Sequence, residues 1–315
     1  MKMQPMEMLP AYRFGAQTPW GGDGLKKIFG KDIPDQRTGE SLEVSAIPGL
    51  ESRTPDGKTL TRWIEEKGAA LTGTAVTRPF PLLLKLLDAR DTLSVQVHPD
   101  DAYAARVEGK LGKTEAWVIL HAEEGAQLVY GVRQGTTREA LEAASRAGAA
   151  VENVLRRVNV HAGEVYYIPA GMVHAIGRGI VLYEIQQSSD VTYRFYDWER
   201  RDQDGNKRAL HIDKALDVVD LSLQPEAAQP VPLGEGRQQL LHEKYFSLQR
   251  WQNTRATLIA DPRMFRILTA VGRTHIAWSD GEMELLPGRT ALLPADGYDL
   301  TIETEHMLLA YPTVD

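Results

Sequence analysis

The chain has no cysteine in its 315 residues, which excludes disulfides, thiolate metal sites and a cysteine nucleophile together. Any metal it holds must be bound by nitrogen and oxygen. Positive charge is also short: 36 Lys and Arg against 43 Asp and Glu leave a formal charge of −7, with no basic excess to neutralise a nucleic-acid backbone. A local Lys/Arg cluster can still bind one small anion. Long apolar runs are missing as well. The densest, PFPLLLKLL, is broken by Lys85, and the opening MKMQPMEMLP has no uninterrupted apolar stretch, so neither a membrane span nor a secretory signal is expected. These absences point to a soluble cytoplasmic protein, monomer or homodimer, that engages neither nucleic acid nor membrane.

What is present is a series of short runs rich in Val, Ile, Leu, Tyr and Trp, among them SLEVSAI, TLSVQVH, EAWVILHA, EVYYIPA and VTYRFYDW, each bounded by Gly, Pro or Asp. Short strands separated by turn residues predict a mainly β fold of sandwiches or barrels. One segment breaks the rhythm: Thr136 to Val160 is rich in Ala, Leu, Glu and Arg, with Thr136 or Thr137 as a cap, and reads as a helical insert over about 136–158. The proline-rich stretch Ser222 to Gly236 reads as a linker. It divides a first unit, 1–230, from a second β unit, 237–315. The two halves echo one another: Gly163 precedes Pro169 by six residues and Gly288 precedes Pro294 by six. Five residues after the proline stands His174 in the first copy and Asp299 in the second, so a true repeat has lost its histidine in the second unit.

Most of the eight histidines have ordinary surroundings. His121, His161, His211, His242, His275 and His306 are read as surface or satisfied core residues. His98 and His174 differ because each stands at a strand end beside other potential ligands. In TLSVQVHPDD, residues two apart share a face, so Ser94, Gln96 and His98 project together and Leu93, Val95 and Val97 pack behind. That face is either solvated or turned inward onto a ligand. In GKTEAWVIL, Glu115 opens an apolar strand on the face of Trp117 and Ile119, and Lys113 shares that face, placed to neutralise Glu115 or to meet a substrate phosphate. The stretch GEVYYIPAGMVHAI is the most specific. Its spacing, Gly, five residues, Pro-x-Gly, two residues, His, matches the second motif of the cupin superfamily and carries His174 out of a tight turn. Gln96, His98, Glu115 and His174 make a plausible divalent-metal site, their imidazole and carboxylate donors suiting zinc, iron or manganese. Arg194 in VTYRFYDW alternates onto the face of Thr192, Tyr196 and Trp198. A buried arginine there calls for an anion, either a protein carboxylate or a bound phosphate or enediolate.

Taken together, TPWGG, PLLLKLLDARDTLSVQVHPDD, GKTEAWVIL and YIPAGMVHAIGRGIVLYEIQQSSDVTYRFYDW resemble the type I mannose-6-phosphate isomerases in their shorter bacterial form. The resemblance runs over most of the chain. It implies two cupin-like jelly-roll barrels, the second without metal ligands, and interconversion of mannose 6-phosphate and fructose 6-phosphate. It also implies one zinc ion on Gln96, His98, Glu115 and His174, with Arg194 catalytic and Ser94, Lys85 and Lys113 lining the pocket opposite Glu184. Glu184, Lys113, a metal-bound water and a histidine are all candidates for moving the proton. The first cupin motif, HxH followed closely by Glu, is replaced by Gln96 and a distant Glu115, as in the isomerases. The helical insert is short for the family. Two other readings fit the same ligands: an iron-dependent cupin dioxygenase and a non-catalytic sugar-phosphate sensor. Neither needs the full set of Arg194, lysines and metal donors.

Overall fold

The computed structural model describes residues 2–76, 79–202 and 204–314. LLLKLLDA, the strand β4 (Leu82–Ala89), is buried along its whole length, because both of its faces are covered and a strand so placed reads as a continuous apolar run. Leu82, Leu84 and Leu86 point one way, into a core shared with Phe246, Leu248, Ile267 and Leu308 of the second unit. Leu87 points the other way, into the interior of the first unit with Trp117, Leu128 and Ile176. Lys85 lies on that inner face.

Two antiparallel sheets enclose that interior. One has six strands in the order β2 (Ala11–Phe14), β3 (Thr38–Val44), β4, β11 (Ile180–Gln187), β6 (Glu115–Ala122) and β9 (Val165–Ile168). The other has five, in the order β12 (Tyr193–Tyr196), β5 (Val95–Val97), β10 (His174–Ile176), β7 (Gln127–Val132) and β8 (Leu155–Asn159). Val95, Val97, Ala175 and Phe195 on the outer face of the second sheet pack under the helix Arg138–Arg146 and the helix Ile212–Val218, through Leu141, Ala215 and Leu216. The helical insert is thus a cover for the five-stranded sheet. Thr137 caps it, accepting from the Ala140 amide at 3.2 Å. It is shorter than 136–158, since a 3-10 helix over Gly148–Val154 ends it and Leu155–Asn159 pair as a strand with β7.

The third sheet is built from β1 (Met6–Met8), β13 (Val231–Gly234), β14 (Arg237–His242), β15 (Phe246–Leu258), β16 (Arg266–Ala270), β17 (Thr274–Trp278), β18 (Gly281–Leu285), β19 (Thr290–Leu293) and β20 (Leu300–Pro312). Its first strand comes from the far end of the chain: β1 pairs with β19. The proline-rich stretch 222–236 is less free than a linker. Gln224 donates to the Val132 carbonyl, Arg156 donates to the Pro225 carbonyl, Ala228 bonds to the Val165 carbonyl, and Val231–Gly234 form a strand. Among the described residues no helix is long and apolar enough to cross a membrane.

An ion pair between Lys31 and Glu43, 2.8 Å apart and 3% and 0% exposed, lies where β3 meets the third sheet. Ser41 donates to Glu43 at 2.6 Å, and Thr290 of β19 donates to it at 3.3 Å. Removing one partner of such a pair leaves a buried charge uncompensated, at a cost of about 3–5 kcal/mol. Lys31→Met is therefore expected to lower the unfolding free energy measured in urea by that order, and the midpoint with it, while leaving turnover per folded molecule unchanged. A midpoint within experimental error of the parent would show that the pair adds nothing.

Candidate metal centre and substrate cavity

The inner faces of the two sheets carry the polar residues that the sequence singled out. On the five-stranded sheet, His174 of β10 and Arg194 of β12 both lie opposite Gln96 of β5, so the three form a row across adjacent strands. On the six-stranded sheet, Glu184 of β11 lies opposite Lys85 of β4 and Trp117 of β6, and Gln186 lies opposite Glu115. The face of TLSVQVH holding Ser94, Gln96 and His98 is turned inward: Ser94 and His98 are buried, and Val95 and Val97 back the strand.

The turn of GEVYYIPAGMVH fixes the two histidines relative to one another. Gly171 has φ of +88°, a conformation that glycine adopts without strain. Its amide donates to the His98 carbonyl at 2.8 Å, tying the turn to the residue that follows β5. His174 pairs through Nδ1 with the Met172 carbonyl at 2.8 Å. An acceptor there requires Nδ1 to carry the proton, so Nε2 presents its lone pair inward.

Donor atoms of His98, Glu115 and His174 lie within 4.8 Å of one another, all buried. Burial holds His174 neutral, its pKa down to about 3. His98 is also held well below the usual histidine value, by burial first and then by the Lys113 ammonium. Burial pushes the Glu115 carboxyl up to about 7, against the pull of Lys113. Lys113 Nζ stands 2.7 Å from Glu115 Oε2 and 3.0 Å from His98 Nε2, so one flank of the cluster has a cation beside it. The other flank has none: Glu115 Oε1 is buried without a hydrogen-bond partner and lies 3.4 Å from His174 Nε2. Two lone-pair donors facing each other in an apolar surround are compensated by a positive ion. Neutral imidazoles and a carboxylate fit a divalent metal. Gln96 approaches the same point, its amide nitrogen 3.3 Å from His174 Nε2 and its oxygen accepting from Ser94 at 3.2 Å. Turning the amide over would direct the oxygen at the cluster.

Opposite the cluster, Glu184 accepts from Lys85 Nζ and from Trp117 Nε1, each at 2.9 Å. Burial raises its carboxyl, but Lys85 and then Lys113 outweigh this and bring its pKa down to about 2. Lys85 also lies 3.8 Å from Glu40. Glu184, Lys85 and Glu40 line a cavity of about 300 Å³ together with Ser94, Gln96, Lys113 and Arg194, at the lower end of the range for small-molecule sites.

The structure corrects the reading of VTYRFYDW. Arg194 and Thr192 line the cavity, but a register shift follows Arg194, and Tyr196 joins Tyr193 and Phe195 in the outer core, with Trp198 packed against it. Tyr196 and Trp198 are therefore not on the face of Arg194. A β-bulge turns the strand, as bulges do beside sites. His211, read as ordinary, brackets the Arg194 backbone: its amide donates to the Arg194 carbonyl at 2.8 Å and its Nδ1 accepts from the Arg194 amide at 3.3 Å. Arg13, Glu40, Asp190 and Arg208 also line the cavity and carried no sequence signal: Arg13 reaches it from the edge strand β2, Glu40 from β3, and Asp190 and Arg208 from connecting loops. Among the described residues no second His and carboxylate cluster of this kind occurs, so the second copy of the Gly-x5-Pro echo has none.

Comparison with known proteins finds similar chains of one family. Residues 13–113 match the family model described as "Phosphomannose isomerase type I, catalytic domain". A Streptococcus mutans mannose-6-phosphate isomerase is 38% identical over 301 residues, 91% of this chain and 94% of that protein. A crystal structure of the mannose 6-phosphate isomerase from Bacillus subtilis superimposes with a TM-score of 0.89 at 33% identity, covering 98% of this chain and 99% of that one. The apo form of the Salmonella typhimurium enzyme shares the fold, with a TM-score of 0.77 at 18% identity over 99% and 100% of the two chains.

Proposed function

Because the chain belongs to the type I mannose-6-phosphate isomerases, we propose that its cavity interconverts mannose 6-phosphate and fructose 6-phosphate through an enediolate. The observation that carries this reading is the buried group of His98, Glu115 and His174, in contact with Gln96 and Lys113, which line a cavity with further basic side chains. His98, Glu115 and His174, joined by Gln96 through its amide oxygen, would hold one divalent ion, for which zinc suits the donor set. When bound, the ion supplies Lewis acidity to the negative charge that develops on the two reacting substrate oxygens.

The chain's own residues hold the rest in place. Glu184, ionised and fixed by Lys85 and Trp117, offers carboxylate oxygens as proton acceptors on the side of the cavity facing the cluster. Lys113, paired with Glu115, places N–H donors beside the reacting end. Arg194 has its Nε buried without a hydrogen-bond partner, and its guanidinium is available to an anion. Ser94 sets the orientation of the Gln96 amide.

The experiment is a coupled assay following fructose 6-phosphate formation from mannose 6-phosphate, before and after exhaustive chelation. Activity is expected to vanish on chelation and to return with zinc. Full activity in protein shown to be free of metal would end the reading.

A further inference from the structure

Resting on the isomerase reading, we propose that Arg208 and Arg13 join Arg194 as the anchor for the substrate's phosphate, and so set its preference for phosphorylated sugars. The argument begins with charge. On a protein of net −7, the cavity is lined by five basic residues, Arg13, Lys85, Lys113, Arg194 and Arg208, against three acidic ones, Glu40, Glu184 and Asp190. Asp197 and Glu115 behind the lining pair with Arg208 and Lys113, so what the cavity offers a phosphate monoester, which carries about −1.5 to −2 near neutral pH, is a set of guanidinium and ammonium donors rather than a net charge.

Position separates the basic residues. Lys113 lies against Glu115 and His98, and Lys85 is held by Glu184, so both lysines are committed to carboxylates of the six-stranded sheet. The row across the five-stranded sheet runs from His174 through Gln96 to Arg194 on its edge strand. Neighbouring strands lie about 4.8 Å apart, which puts the Arg194 backbone about 10 Å from that of His174. A hexose phosphate reacting at C1 and C2 carries its phosphate on C6, at the far end of the molecule. The row therefore has its cluster at one end and its arginine at the other.

Arg208 and Arg13 are aimed rather than loose. Asp197, itself buried, takes two bonds from Arg208, at 2.7 Å from Nε and 2.6 Å from Nη2. Glu40 takes one from Arg13 Nη1 at 3.2 Å. A guanidinium has five N–H donors, so each keeps donors for a second partner. Arg194 donates to no carboxylate among the described residues, and its Nε is buried without a hydrogen-bond partner. Three guanidinium groups lining one cavity, two oriented by carboxylates and one unpaired, form a fork suited to phosphate oxygens.

The test compares Arg13→Gln, Arg208→Gln and Arg208→Lys with the parent, using mannose 6-phosphate in the coupled assay and inorganic phosphate as a direct ligand by calorimetry. Each variant is expected to raise KM about tenfold or more, as loss of a charged hydrogen bond does, with kcat within about threefold. The affinity for inorganic phosphate is expected to fall by a similar factor. Turnover of unphosphorylated mannose, however slow, is expected to be unchanged. Unaltered KM and phosphate affinity in Arg13→Gln and Arg208→Gln would overturn the proposal, and so would equal losses on phosphorylated and unphosphorylated sugar. Arg13 lies on an edge strand and holds only Glu40, so its variant reports even where the Arg208 variants disturb Asp197. Failure of the isomerase reading has a different signature: the parent would bind phosphate, with the variants weakened, and yet form no fructose 6-phosphate.

Discussion

His98→Ala is expected to lose about 10³-fold or more of isomerase activity, together with its bound metal, while keeping its fold. The size follows from the several kcal/mol of charge stabilisation that a Lewis acid supplies, since about 4 kcal/mol corresponds to three orders of magnitude in rate. The fold is expected to survive because His98 is held neutral, so its removal strands no charge. Lys113 stays against Glu115 at 2.7 Å and continues to compensate that carboxylate. Metal analysis of the purified variant, circular dichroism and the coupled assay are read on one sample. Full activity in a metal-free His98→Ala protein would sink the role given to the cluster.

Lys85→Met is expected to destabilise the protein by about 3–5 kcal/mol, the cost of leaving one member of a buried pair uncompensated. Glu184 is 4% exposed by side chain and Lys85 6%, so solvent does little to screen the loss. Glu184→Gln is expected to cost less, because an amide can still accept from Trp117 and Glu40 still lies within 3.8 Å of Lys85. The double variant is expected to cost less than the two singles added together. Additive losses would mean that the pair has no coupling.

The same pair sets a pH dependence. The Glu184 carboxyl is brought from 4.5 down to about 2 in the folded protein, so its contribution to stability is complete above about pH 4.5. It is lost as pH falls through about 2, where the folded carboxyl takes up its proton. Acid titration of the parent should therefore show a fall in stability over that window. Glu184→Gln, which has no carboxyl at this position, should lack that part of the slope.

Some parts of the site were legible because they lie on single strands with a period of two. Ser94, Gln96 and His98 alternate with Leu93, Val95 and Val97, and the spacing around Pro169 and Gly171 places His174 after a turn that needs a glycine. Alternation could not say whether the polar face of TLSVQVH met water or an interior. The six-stranded sheet, bringing Glu115 and Trp117 over it, decided that. Nor could alternation foresee the bulge after Arg194, because an inserted residue leaves the local sequence apolar and aromatic as before while reversing the face of Tyr196. The stretch 222–236 has the prolines of a linker, yet its backbone is tied to Val132 and Val165, contacts between residues distant in sequence.

By itself the sequence determined the chemistry available: no thiolates, a mainly β chain, two histidines and a glutamate with donor spacing, and an arginine in need of an anion. Those are properties of residue type and of a short repeat, and they survive without knowledge of the partner strand. Only the tertiary structure decided which charges meet. Lys113 lies against Glu115, Lys85 against Glu184, Lys31 against Glu43 in the interface, and Arg13 and Arg208 line one cavity with Arg194. The physical reason is that Coulomb energy and burial depend on distance through space and on the surrounding medium, and neither is set until strands far apart in the chain are paired.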